Sequence, residues 1–148
     1  MDETRFAANF LKNATEMVFF GVNQWQGKWR CFIRIYYPGH DEGQDWLPTK
    51  KGISLELDHF SALQDAILAL GKDLETEREI AVISQRADLE IRISLGNFKN
   101  IKLIDIRTYV QLDGEFRPTQ KGISLKTALF PLLWDGTEKL ADLVSDIR

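Results

Sequence analysis

The phrase PTKKGISL at Pro48–Leu55 returns as PTQKGISL at Pro118–Leu125, with seven of eight letters unchanged after 70 positions. In a chain of 148 residues this leaves room for one small unit present twice. A unit of about 70 residues buries barely enough surface to be stable by itself, so two copies gain by sharing a core.

The likeness extends beyond the phrase. After the first copy, Asp58 stands where an N-cap would. Phe60, Leu63, Ile67 and Leu70 follow as one helical stripe, and Gly71 is a fitting stop. After the second, Thr127 takes the capping place, Phe130 stands where Phe60 stood, and Pro131 is tolerable in a first turn. Asp135-Gly136 is expected to interrupt this helix before Leu140, Leu143, Val144 and Ile147 resume the stripe.

Before each copy the pattern is β. WRCFIRIYY (29–37) and IKLIDIRTYV (101–110) are rich in β-branched and aromatic residues. Alternation puts Trp29, Cys31, Ile33, Ile35 and Tyr37 on one face, the core, and Arg30, Phe32, Arg34 and Tyr36 on the other. Aligning Arg34 with Arg107 matches Tyr36 to Tyr109 and sends Ile104 and Ile106 to the core. Earlier strands are expected at 16–22, 79–85 and 89–95, with turns at 23–28 and 96–100. Gly71–Glu77 reads as a linker. The expected class is α+β: two repeats, residues 1–72 and 78–148, each a meander of about four antiparallel strands followed by a helix.

The totals set limits. An apolar fraction of 44% with 28% charged residues is that of a globular chain, and no apolar run reaches the roughly 18 residues of a membrane span. Cys31 is the only cysteine, so no internal disulfide is available. With no secretion-signal pattern in the first residues, the expected location is the cytoplasm (on the nucleoid) or the nucleus. The net charge of −3 disfavours a nucleic-acid binder, but the charge is segregated. Residues 25–51 carry five bases and three acids, whereas residues 56–79 carry seven acids and two bases. Any binding of nucleic acid is expected to weaken readily with salt.

The run IKLIDIRTYVQLDGEFRPTQKGISL resembles the single-stranded-DNA-binding domain of the transcriptional coactivator called positive cofactor four. The resemblance is carried by IDIR at 104–107, DGEFRP at 113–118 and KGISL at 121–125. The first copy keeps LPTKKGISL and the arginine-plus-aromatic strand. That family is a dimer whose four-stranded sheets face outward and grip single strands while its helices pack between subunits. The resemblance therefore implies an internal pseudo-dimer, with single-stranded DNA or RNA and transcription or replication proteins as partners, and no membrane. Further homodimerisation of the chain is left open.

Residue roles follow from the same resemblance. An aromatic turn ahead of the arginine strand corresponds to Trp25 with Lys28 in the first copy and Phe98 with Lys99 in the second. The strand arginine corresponds to Arg34 and Arg107, a tryptophan three positions on to Tyr37 and Val110, and the lysine before glycine to Lys51 and Lys121. Val110 has no ring to stack, so the second site is expected to be weaker or differently shaped. Single-strand binders combine a cationic groove with exposed rings, each base stacked contributing about 1–3 kcal/mol. Arginine suits the role because its planar fork meets phosphate in two places. Arg30, Arg92 and Lys50 are further candidates for phosphate. The alternative is that these arginines pair within the sheet, with Asp105 or Glu90. Gly52 and Gly122 are expected to serve the backbone.

Catalysis finds no pattern to support it. His40 and His59 are scattered, no metal-ligand spacing or phosphate loop is present, and Asp41, Glu42 and Asp45 fall in a turn-like loop. The expectation is a binding module without cofactor or metal. The rival reading is a protein-interaction or structural module that keeps the fold and lacks the grip.

Overall fold

The computed structural model describes residues 2–39 and 45–147. His40, Asp41 and Glu42 therefore lie outside the described residues. Two four-stranded antiparallel meanders are present. The first is β1 (Thr4–Leu11), β2 (Met17–Trp25), β3 (Lys28–Pro38) and β4 (Trp46–Glu56), followed by α1 (Phe60–Gly71). The second is β5 (Arg78–Arg86), β6 (Leu89–Phe98), β7 (Ile101–Leu112) and β8 (Glu115–Lys126), followed by α2 (Phe130–Ile147). The expected α+β pseudo-dimer of two ββββα repeats is the observed fold. Strand β1 carries no signal that the sequence reading used, and the strands run further into their turns than expected. β2 and β6 reach Trp25 and Phe98, each closed by two residues with positive φ, Gln26-Gly27 and Lys99-Asn100. Such a turn matches the right-handed twist of the paired strands.

The predicted core face is buried: Cys31, Ile33 and Ile35 on β3, Ile104 and Ile106 on β7, and the whole Phe60–Leu63–Ile67–Leu70 stripe. Trp29 and Tyr37 at the ends of that face are only half-buried. The helices are exchanged. Helix α1 packs on β5 and β6 of the second sheet, α2 packs on β1 and β2 of the first, and the two helices touch each other. The sheets meet along β4 and β8, the strands that carry the repeated phrase.

Two expectations about the helices need correction. Asp58 and Thr127 are not caps; they lie inside short 3₁₀ turns, Leu57–His59 and Thr127–Leu129, through which the chain enters each α-helix. Such a turn closes the first amides on itself, so a side-chain cap is not required. Asp135-Gly136 does not interrupt α2, which is continuous from Phe130 to Ile147. Gly136 lies buried against the Phe20 ring, where any Cβ would overlap it, so glycine here serves close packing between the halves. Gly71 is packed likewise against the Phe130 ring where the helices touch.

Because Phe20 belongs to the first sheet and packs on the second repeat's helix, it tests the interlock. Phe20→Ala is expected to cost about 3–5 kcal/mol. Urea unfolding followed separately at Trp29 and Trp134 should give coincident transitions for wild type and variant alike. Separated midpoints would show that the halves unfold independently.

Candidate nucleic-acid interface

The outward faces of the two sheets are built on the same register. Arg34 lies opposite Phe19 and Gly52, and Arg107 lies opposite Arg92 and Gly122. Both strand pairs shift register just past the arginine. Gly52 adopts φ +151, and a Cβ there would meet the Arg34 backbone. At Gly122 a Cβ would meet the Arg107 side chain along its length. Each glycine thus leaves a slot for the arginine beside it, a role for the backbone as expected. Thr49 and Thr119 repeat one detail: each hydroxyl donates to a strand carbonyl, Ile35 O or Thr108 O, at 2.8 Å.

The two faces differ in what surrounds the arginine. Arg34 lies over the Phe32 ring, 5.5 Å from its centre, and no carboxylate among the described residues ion-pairs with it. Around it is a ring cluster. Phe19 and Tyr36 are 4.3 Å apart centre to centre, and Phe6 touches Phe19, Phe32 and Tyr36 edge-on. Phe32 fits because Gly21 opposite it has no side chain. Phe32 and Tyr36 are thereby buried, although alternation places them outward.

On the second face the arginines take the alternative that the sequence offered. Arg107 donates to both carboxylate oxygens of Asp105, at 2.9 and 3.1 Å, to Thr119 O at 2.8 Å and to Ser124 Oγ at 3.4 Å. The Ser124 hydroxyl donates to Asp105 as well, at 2.8 Å. Arg92 donates to Glu90 at 2.5 Å, stands 3.9 Å from Glu79 and lies over the Tyr109 ring at 4.4 Å. Its hydrogen bond to Glu90, itself only 8% exposed, raises the Arg92 pKa above its ordinary value.

The candidate rings at the turns are open to solvent. Trp25 is 64% exposed and Phe98 62%. Lys99 covers Phe98, its ammonium 5.3 Å from the ring centre. Trp25, Lys28 and Arg30 share one groove with Trp29 and with the carboxylates of Glu56 and Asp58. Arg30 and Arg34 share a second with Lys50 and, from the other half, Lys121. Lys51 is exposed, 3.7 Å from the Glu16 carboxylate. Tyr37 is half-buried opposite Leu47, and alternation turns it away from Arg34. The aromatic neighbours on Arg34's own face are Phe32, Tyr36, Phe19 and Phe6. Phe6, Phe19 and Arg86 were not singled out from sequence: Phe6 sits in a charged N-terminal stretch, and Arg86 reaches a groove only through the packing of the halves.

Cys31 is buried and its thiol donates to Leu55 O at 3.6 Å. Burial pushes its pKa up to about 12, so at neutral pH it stays a thiol. Among the described residues no cluster of three or more His, Cys, Asp or Glu could hold a metal, and no helix is long and apolar enough to cross a membrane.

The architecture defines a class: a single-chain pair of four-stranded sheets with exchanged helices and arginine-bearing outward faces. The chain belongs to the family Transcriptional Coactivator p15 (PC4), whose family model matches residues 12–66 and 87–135. A PC4 homologue from Burkholderia pseudomallei in its tetragonal crystal form is similar, with 32% identity over 41% of this chain and 91% of its own, at a TM-score of 0.38. Its orthorhombic form gives 32% over 42% and 85%, at a TM-score of 0.37. No curated protein matches the chain.

Rings that rest on nothing contribute little to folding. Trp25→Ala and Phe98→Ala should each leave stability within about 0.5 kcal/mol, read from urea melts. A loss several times larger would place the ring in the packing of its own sheet.

Proposed function

We propose that this chain binds single-stranded DNA or RNA with little sequence preference and acts in transcription, replication or repair, without catalysing a reaction. The observation that carries the reading is the first sheet's outer face. There an arginine without a carboxylate partner among the described residues lies among rings, next to grooves that hold Trp25, Lys28 and Arg30. A cationic surface with exposed rings is the chemistry that holds an unpaired strand, because every base offers a π-face and every nucleotide a phosphate. The proposed contacts are Trp25, Lys28, Arg34, Tyr37, Lys51, Phe98, Lys99, Arg107 and Lys121, carried by two units at 1–72 and 78–148. Membership of the PC4 family supports the reading. The setting would be the nucleoid or the nucleus, with transcription or replication proteins close by.

A second reading has its own observation. The ion pairs of Arg92 and Arg107 occupy the second face with internal partners, as in a module that keeps the fold for protein contacts.

Fluorescence anisotropy with a labelled oligo-dT of about 20 nucleotides, an oligo-U of equal length and a duplex control separates the readings. The expected result is binding of the single strand that weakens steeply between about 50 and 200 mM salt. Trp25→Ala should weaken it by about 1–3 kcal/mol, roughly 5- to 150-fold. Absence of binding to either strand at the lower salt would leave the protein-contact reading. A preference for oligo-U would name RNA as the ligand.

A further inference from the structure

We infer that the two outward faces are unequal in kind. One chain holds one strand, on the first sheet's side, and the second repeat serves that site as its far wall, lending it Arg86 and Lys121. The inference rests on the single-strand reading and goes beyond it in stoichiometry and in the residues that carry it.

The cleft in question lies at the junction of the halves and encloses about 520 Å³. Among the described residues its charged lining consists of Arg30, Arg34 and Lys50 from the first repeat and Arg86 and Lys121 from the second, with no carboxylate. Among the described residues, Arg30, Arg34, Lys50 and Lys121 form no ion pair. Arg30 is held at 2.9 Å by Ser54 Oγ and at 2.9 Å by Ser54 O, both neutral acceptors, so it is oriented and keeps its charge. Arg34 contacts a ring. Two acids stand outside the lining: Glu56, across the strands from Arg30, and Asp88, paired with Arg86 at 3.0 Å where both side chains are more than half exposed, and such exposed pairs contribute little and yield to a competing anion. The wall offers one further donor: Gln85 Nε2 is buried, with no partner among the described residues. A buried amide without an acceptor is uncommon, and a phosphate or base oxygen in the cleft would supply one.

On the outer face of the second sheet the arginines are paired with carboxylates. A groove there of about 480 Å³, which matches the first cleft only at Leu103 and Ser124 and leaves Arg107 outside it, is lined among the described residues by Ser94, Gly96, Asn97, Phe98, Leu103, Asp105 and Ser124, with one carboxylate and no cation. Equivalent positions in the two registers show the change residue by residue. Arg30 becomes Leu103, Phe32 becomes Asp105, Phe19 becomes Arg92 and Met17 becomes Glu90. Each of these four removes a cation or a ring, or adds a charge that is cancelled within the sheet, whereas Glu56 becomes Lys126 at the strand end. A phosphate approaching Arg107 has to displace a two-oxygen carboxylate pair, one of the stronger side-chain contacts available.

The test is titration calorimetry of the full chain with oligo-dT of about 10 nucleotides, short enough to engage a single groove. One strand per chain is expected. Lys121→Ala and Arg86→Ala should weaken binding as Arg34→Ala does, and each should flatten the dependence of log K on log salt by about 0.7, the share of one neutralised phosphate. Lys126→Ala and Arg117→Ala, exposed cations of the second repeat outside the cleft, should leave affinity and salt slope at the wild-type values. All five side chains sit at the surface or in outer-face contacts, and matched melting curves confirm that each variant is folded. Two equal strands per chain, or a Lys126→Ala defect as large as that of Lys121→Ala, would overturn the inference and leave the proposed function standing. No binding by the wild-type chain would overturn both.

Discussion

Each helix in this protein covers the sheet of the other repeat. Helix α2 lies on β1 and β2, and α1 lies on β5 and β6. Without the exchange, Val18, Phe20 and Val22 in the first sheet, and Ile91 and Ile93 in the second, would lose the cover that keeps them dry. A repeat of this size has too little interior to fold well by itself, and the exchange converts two marginal cores into one. The outward faces follow from it. With the inner face of each sheet fully occupied, the other is free to carry arginines, rings and ion pairs that a shared core would not tolerate.

The repeated phrase lies where the pseudo-twofold relation is most demanding. β4 and β8 meet at the seam, so each copy of KGISL faces the other unit's equivalent strand. In such a self-matching contact, a change on one side requires a compatible change on the other. The buried side chains there, Ile53 and Leu55 against Ile123 and Leu125, are letter for letter the same. The outer faces are under no such coupling, and there Phe32 and Asp105 occupy equivalent positions.

Much of this arrangement was legible in the sequence. Alternation gave the inner faces of β3 and β7, helical spacing gave the stripe of α1, and the offset between the phrases gave two units. Local pattern misjudged Gly136 because the reason for a glycine there is the Phe20 ring, more than a hundred residues earlier in the chain. It also missed β1, whose pairing with β2 and cover by α2 outweigh its charged surroundings. The site was legible in its residue types and less so in their state. Arg34 and Arg107 occupy equivalent positions, yet one rests on a ring and the other is tied to Asp105, a difference set by the neighbouring strands. The contribution of Arg86 depends on how the halves dock, which no local spacing encodes.

The short connection between α1 and β5, residues 72–77, has a consequence for how the protein behaves at low abundance. Two separate subunits with exchanged helices would fall apart on dilution, and their stability would track their concentration. Here the second half is always within reach, at an effective local concentration in the millimolar range for a short tether. A cell holding only a few copies therefore holds them assembled, and assembly requires no encounter between two molecules.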